Sequence, residues 1–342
     1  MKLESAFNAA TTADKTNGLS DADLPQHLVA TGQSGLPQAE ILQEALERLK
    51  ERGLIEEAYL RGSFGRGHGD DQSDIDLFVV VDPENLKTVY ETVNAYLEEK
   101  GGVITSCYDR LVEDYGGIGF MFVAKNAKHN TSYQFDLYMA IKGVAPLSDF
   151  TIKPRIFSRD PDYQWMKEYG APRDPEALPA DAKAFIENHT KGQDIGDRLE
   201  LLMQEQLLNL YVTSKHMKRG QTSRVMLDNQ SITATAIEML QALTDYTSTG
   251  YTSLYLGNEV VEFARAHGDA EMVAAANKLE SFFEQPINRQ KLRDVLDYCK
   301  DVLQQSYPER YERQKDAIAY FEKKVLAEPK SAPVTKRGAA PR

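Results

Sequence analysis

The chain has 342 residues, 42% of them hydrophobic and 27% charged, enough for more than one core of ordinary domain size. Forty basic side chains face 52 acidic ones, a net charge of −12 with His neutral, which disfavours a broad nucleic-acid or membrane-surface role. The longest apolar runs, Leu77 to Val81 among them, are five residues, far short of the ~20 of a membrane span. The N-terminus lacks the apolar stretch of a secretory leader. Cys107 and Cys299, 192 positions apart, suggest neither a disulfide framework nor a zinc site; they read as packed thiols in a reducing, cytoplasmic protein.

Residues 1–35 are rich in Ala, Thr, Ser, Gly and Asp with weak periodicity, and read as a mobile arm or a short docking segment. A helix follows: Pro37 sits near its start, Ile41, Leu42, Ala45, Leu46 and Leu49 recur at helical spacing, and Gly53 ends it. Ala58 to Leu60 reads as a short strand that runs into the glycine-rich loop Gly62-Ser63-Phe64-Gly65-Arg66-Gly67. Ile75 to Val81 is a second strand, apolar enough to lie at a sheet centre. Leu86 to Lys100 is helical and stops at Gly101-Gly102; Ile118–Ala124 and Tyr133–Ile141 are strands joined by a polar hairpin loop. Beyond residue 150 the prolines at 154, 161, 172, 175 and 179 mark a linker, after which helical periodicity predicts helices at about 180–219, 231–247, 257–279, 287–305 and 309–327. The pattern is α+β, a mixed sheet with helices followed by an all-helical bundle. The expected divisions are an arm over 1–35, a mixed domain over 36–150, a linker over 151–179, a helical domain over 180–328 and a disordered basic tail over 329–342.

The chemistry concentrates between residues 62 and 76. Asp74 and Asp76 alternate along a strand, so both carboxylates project from one face, about 7 Å apart. They repel one another unless a cation lies between them, and a hard divalent ion such as Mg²⁺, which also holds substrate phosphates, suits oxygen ligands of this kind. The glycines let backbone approach a phosphate and Ser63 adds a hydroxyl there. Asp136 sits mid-strand in an apolar segment, a costly place for a carboxylate unless it meets a metal or a donor. Asp-x-Asp at a strand end, a glycine-rich loop or a mid-strand Asp is separately most often turn, surface or solvated-face chemistry. Joined in this order they point to one site. His68, Asp70 and Asp71 read as solvated loop residues, and the scattered tyrosines, Tyr246 and Tyr251 included, support no base-stacking assignment.

The pattern Gly62-Ser63-x(10)-Asp74-Ile75-Asp76, preceded by a helix and followed by the strand acid Asp136, resembles the polymerase-β-like nucleotidyltransferase superfamily. With the helical second half, the chain looks most like the antibiotic nucleotidyltransferases, the aminoglycoside and lincosamide adenylyltransferases. The motif spans about residues 36–150, and the 35-residue arm is not expected of the short family members. The resemblance implies a nucleotidyltransferase-fold domain in which Asp74, Asp76 and Asp136 hold Mg²⁺. It implies that Gly62, Ser63 and Arg66 bind the phosphates of ATP or another nucleoside triphosphate. Asp136 would take the proton from an attacking hydroxyl, with Glu113 the next candidate for the third carboxylate.

In the helical half, Leu201, Glu205, Leu208, Val212, Lys215 and Arg219 fall within an arc of about 80° on a helix. The bland reading leaves Glu205 at the edge of an apolar stripe and lets Lys215 snorkel to water. The functional reading sends Lys215 to the β- and γ-phosphates, with Lys218 and Arg219 as competitors, and Glu205 to a cationic or polyhydroxyl acceptor. The expected activity is transfer of a nucleoside monophosphate, AMP first, to a hydroxyl of a small molecule, cationic ones included, such as an aminoglycoside or lincosamide. The rivals are a toxin or regulatory enzyme that modifies tRNA or a protein, and a scaffold that keeps the fold without catalysis. The intact Ser63, Asp74, Asp76 and Asp136 weigh against the scaffold.

Overall fold

The computed structural model describes residues 23–110, 117–142, 154–160, 178–246 and 253–327. By contact clustering the chain divides into two compact units between Gln193 and Asp194. The first is built on a six-stranded sheet in the order β3-β4-β5-β2-β1-β6, comprising β1 (Glu57–Leu60), β2 (Ile75–Val81), β3 (Val103–Tyr108), β4 (Ile118–Asn126), β5 (Thr131–Ile141) and β6 (Arg155–Ser158). Only the central β2–β5 pair is parallel; every other neighbour is antiparallel.

Among the described residues of this unit, four helices pack: α1 (Leu24–Ala30), α2 (Pro37–Glu51), α4 (Leu86–Lys100) and α5 (Ala180–Thr190), with the short helical turn α3 (Gly62–Gly65) between β1 and β2. The pleat decides where the core goes. Ala58 and Leu60, then Ile75, Leu77, Val79 and Val81, then Phe135, Leu137, Met139 and Ile141 alternate onto one face. There they share a single apolar cluster with Leu28 of α1, Leu42, Leu46 and Leu49 of α2, and Val89, Val93 and Leu97 of α4. The alternate residues, among them Asp76 and Asp136, therefore point from the opposite face. At ~25 cal/mol per Å² of apolar surface removed from water, that alternation is what holds the register.

Several expectations are corrected here. The segment read as an arm over 1–35 contains α1, whose Leu24 and Leu28 are buried in the main core, so its described part is docked; residues 1–22 lie outside the described residues. The linker expected over 151–179 contains β6, an edge strand pinned to β1 by charge. Arg155 reaches the fully buried Glu57 at 3.0 Å, and Arg159 reaches Glu56 at 2.8 Å. Removing Arg155 would strand the buried Glu57 charge and cost about 3–5 kcal/mol, whereas the Arg159 pair is half open to water. Strand β3 carries little sequence signal, because its Thr105 and Ser106 dilute the apolar alternation.

The helical run expected over 180–219 is two helices. Gly192, at φ +71°, breaks it, and Asp194 caps the second helix through the Asp197 N–H at 2.7 Å. The first of the two, α5, belongs to the sheet unit, so the helical unit begins at Asp194 rather than at residue 180. That second unit holds α6 (Ile195–Lys218), α7 (Thr222–Thr244), α8 (Ser253–His267), α9 (Ala270–Glu284), α10 (Arg289–Ser306) and α11 (Pro308–Tyr320), ending in a π-helical turn over Phe321–Val325. The helix expected at 231 starts at Thr222, since its first turns are mostly polar and exposed and carry little period. The one expected over 257–279 is divided at Gly268 and Asp269, where Asp269 accepts from the Glu271 and Met272 N–H groups. Cys107 and Cys299 are free, buried thiols, as expected. The tail over 329–342 lies outside the described residues. Among the described residues no helix is long and apolar enough to cross a membrane.

Helix α5 docks through an aromatic cluster. Phe185 and His189 lie 5.5 and 5.2 Å from the Phe120 ring, and both lie 5.2 Å from Tyr90. Burial holds the His189 imidazole below its usual value, while a hydrogen bond to the Phe185 carbonyl at 2.8 Å works against that shift. Because the folded value lies below the unfolded ~6.5, this contribution to stability is complete above ~6.5 and lost as pH falls toward the folded value. The thermal midpoint of the wild type should therefore drop relative to His189→Phe between pH ~7.5 and ~5.5, either side of the free imidazole value. Parallel pH curves for the two proteins would refute the assignment.

Candidate active site

Parallel pairing of β2 with β5 makes Asp76 and Asp136 Cα partners, one strand spacing of ~4.8 Å apart and on the same sheet face. Asp74 precedes β2 by one residue and continues the alternation toward that face. Asp136 is only 4% exposed, whereas Asp74 and Asp76 are half-buried. Register thus brings Asp76 together with Asp136, while Asp74 stands just outside the paired strand.

The glycine-rich turn is pressed against this pair. The Arg61 N–H donates to the Asp76 carbonyl at 3.1 Å, and Gly62 then adopts φ +58°. A Cβ on Gly62 would lie 2.8 Å from the Asp76 carboxyl carbon and closer still to its Oδ2. Gly62 is therefore required twice, by its left-handed backbone and by the carboxylate against it. Ser63, half-buried, follows in α3, and its carbonyl accepts the His68 N–H at 2.9 Å. Arg66, at the end of α3, and His68 are exposed. Asp70 does more than meet solvent: its Oδ1 accepts from the Ser73 hydroxyl at 2.8 Å and from the Gln72 N–H at 3.1 Å, which shapes the turn into β2.

Strand β5 supplies groups that sequence reasoning missed. The Gln134 Nε2 donates to both oxygens of Asp136, at 2.9 and 3.0 Å, and the Tyr138 hydroxyl donates to Oδ2 at 3.3 Å. Their spacing at i−2 and i+2 from Asp136, on its own face, was the available signal. Burial, and after it the carboxylates of Asp136, Asp76 and Asp109, push the Tyr138 phenol well above its usual value, against the Arg61 guanidinium. That guanidinium lies 4.6 Å over the Tyr138 ring. The phenol accordingly stays protonated and remains a donor. Asp109, 6% exposed just beyond β3, joins this acidic neighbourhood; Glu113, the alternative third carboxylate, lies outside the described residues.

The donors are carboxylate oxygens, the chemistry a hard divalent cation takes. Among the described residues, no group of three or more His, Cys, Asp or Glu side chains is gathered closely enough to hold a metal ion. Mg²⁺ generally takes one or two carboxylates and fills its remaining positions with water and substrate phosphate, and an adjacent carboxylate pair fits that mode.

The remaining expected residues lie in the second unit. Glu205 of α6 is half-buried and its Oε1 accepts from the Thr235 hydroxyl of α7 at 3.4 Å. Lys215, near the end of the same helix, is only 8% exposed, while Lys218 is exposed. The Tyr246 hydroxyl is engaged by Glu259 at 2.9 Å, and Tyr251 lies outside the described residues.

The close fit of Gly62 yields a direct test. Gly62→Ala should leave the thermal midpoint within a few degrees, since a left-handed non-glycine residue costs about 1–2 kcal/mol. Displacement of the Asp76 carboxylate should cut turnover at least ~10-fold, one factor of ten per ~1.4 kcal/mol. Wild-type turnover in the folded variant would detach the glycine turn from the acids.

Comparison with known families places this geometry. Residues 42–128 match the family model described as a nucleotidyltransferase domain. The matched stretch contains Gly62, Ser63, Asp74 and Asp76; it begins after α1 and ends before Asp136. No curated protein matches the chain.

Proposed function

We propose that the protein transfers a nucleoside monophosphate, AMP from ATP first, to a hydroxyl of a small molecule, with aminoglycosides and lincosamides as the leading acceptor class. The supporting observation is the Gly62 turn packed against Asp76, with Asp136 beside Asp76 in register. General nucleotidyl transfer rests also on the nucleotidyltransferase-domain match.

In this reading the adjacent pair Asp76 and Asp136 would hold Mg²⁺, with Asp74 a further carboxylate toward the same face rather than the third member of a closed cluster, and the ion when bound would neutralise charge on the phosphates. The backbone at Gly62, the Ser63 hydroxyl and Arg66 hold the outgoing phosphates. Asp136, oriented by Gln134 and Tyr138, accepts the proton of the acceptor hydroxyl. The hydroxyl oxygen bonds to the α-phosphorus, the bond to the bridging oxygen breaks, and pyrophosphate leaves. Lys215 is proposed as a further cation for the β- and γ-phosphates, and Glu205 as a contact for a cationic acceptor. The net charge of −12 suits such an acceptor better than a polyanion.

The deciding experiment incubates the protein with radiolabelled nucleoside triphosphates and, separately, aminoglycosides, lincosamides, bulk tRNA and cell-extract protein. Label on the small molecules supports the proposal; label confined to tRNA or protein replaces it with the toxin or regulatory reading. Asp74→Asn and Asp76→Asn should each abolish transfer while the helical unit stays folded. Asp136→Asn should lower turnover by at least ~10², the usual cost of losing a general base, with a smaller effect on nucleotide binding. Equal losses in binding and turnover would mark Asp136 as purely a metal ligand. Calorimetric titration of ATP·Mg²⁺ should find a larger loss for Lys215→Ala than for Lys218→Ala; the opposite order would remove Lys215 from the site.

A further inference from the structure

The loop that runs from the proposed phosphate turn at Gly62 and Ser63 to Asp74 carries Arg66 and has three glycines among its ten positions 64–73, Gly65, Gly67 and Gly69. Left to itself such a segment samples many conformations, and ordering it would be charged against ligand binding. Its backbone is held from a part of the chain outside the matched nucleotidyltransferase stretch of 42–128.

The contacts run along the whole loop. The His27 Nε2, on the buried side of α1, donates to the Phe64 carbonyl at 3.0 Å. The Gln33 amide, in the orientation that satisfies both of its ends, donates to the same carbonyl at 3.1 Å and accepts from the Gly69 N–H at 2.6 Å. A Cβ at Gly69 would lie 2.5 Å from the same end of the Gln33 amide, so a larger residue there would push that side chain off the loop. At the far end the Gln38 Nε2 lies within reach of three carbonyls, Asp71 at 2.9 Å, Ser73 at 3.2 Å and Asp70 at 3.3 Å. Leu24 and Leu28, 2% and 0% exposed, anchor α1 in the core, so the donors stand on a fixed support.

We propose that residues 23–38 form a brace that presets the Gly62–Ser73 loop for a nucleoside triphosphate, with His27 as its principal positioning residue. What the loop binds rests on the function proposed above; that the brace orders the loop does not. Every one of these hydrogen bonds ends on loop backbone, so the brace fixes the path of the chain without consuming the Ser63, Arg66 or His68 side chains. Its hydrogen-bonding groups are two amides and an imidazole, so none adds a carboxylate beside a ligand that is itself a polyanion. Pre-ordering is the gain: the entropy of fixing the loop is lost on folding rather than on binding.

The test uses the full chain with His27→Leu, which removes the donor, and His27→Gln, which keeps an amide N–H near the position of Nε2. Hydrogen exchange of the 62–73 amides and calorimetric titration of ATP·Mg²⁺ are measured on both and on the wild type. The expected result is faster exchange confined to 62–73 in His27→Leu, with affinity for ATP·Mg²⁺ reduced roughly tenfold, the scale of one lost buried hydrogen bond. His27→Gln should recover most of both. Should His27→Leu fail to fold, Gln38→Met loosens the same loop from its other end and is read in the same way. Wild-type exchange in the loop, or exchange raised equally throughout the chain, would overturn the brace and reduce His27 to core packing. Faster loop exchange with wild-type affinity would overturn the link to the nucleotide. If the wild type binds no ATP·Mg²⁺, the functional reading fails, and the exchange comparison alone then decides the brace.

Discussion

Two carboxylates set side by side by a parallel strand pair, Asp76 on β2 and Asp136 on β5, are the constraint on which the rest of the first unit depends. Like charges at one strand spacing are unfavourable, and one of them is almost wholly buried. The surroundings offset that cost in separate ways. Gln134 donates to both oxygens of Asp136, Tyr138 adds a hydroxyl, and the Arg61 guanidinium lies over the Tyr138 ring. A slip of one residue in β2 would send Asp76 into the apolar core and Leu77 or Ile75 to the polar face. The seven-residue run of β2, buried against α2 and α4, makes that slip prohibitive.

The sheet therefore has two differently specialised faces. One carries the apolar cluster under the helices; the other carries Glu57, Tyr59, Asp76, Gln134, Asp136 and Tyr138. Glu57 shows how the polar face tolerates buried charge away from the acids. It is fully buried, bonded to the Tyr59 hydroxyl at 2.8 Å, and paired with Arg155 at 3.0 Å. The pair that secures edge strand β6 also keeps a carboxylate satisfied where water does not reach. Breaking it would leave an uncompensated charge, so the edge strand and the polar face stand together.

The nucleotidyltransferase-domain match covers residues 42–128, but the site described here draws on residues either side of it. Asp136, Gln134 and Tyr138 follow the matched stretch, while His27, Gln33 and Gln38 precede it. The Gly62–Asp76 segment thus lies inside the matched stretch, and much of what holds it comes from flanking chain.

Much of this was legible before any coordinates. The Gly62-Ser63 turn, the alternation of Asp74 with Asp76, the strand over 75–81, the helices over 37–51 and 86–100 and the helical second half all follow from local spacing. A period of two or of 3.6 is written in consecutive residues. What only the tertiary structure decided lies at longer range. The partnership of Asp76 with Asp136, the bond from His27 to Phe64 across 37 positions and the pairing of Arg155 with Glu57 across 98 leave no periodic trace. Gln134 reads as an ordinary polar strand residue until Asp136 is seen to need its amide, and His27 as part of a polar arm until α1 is buried. The sequence by itself determined which residues could do the chemistry. Burial decided which of them meet, because a buried polar group must find a partner wherever the folded chain supplies one.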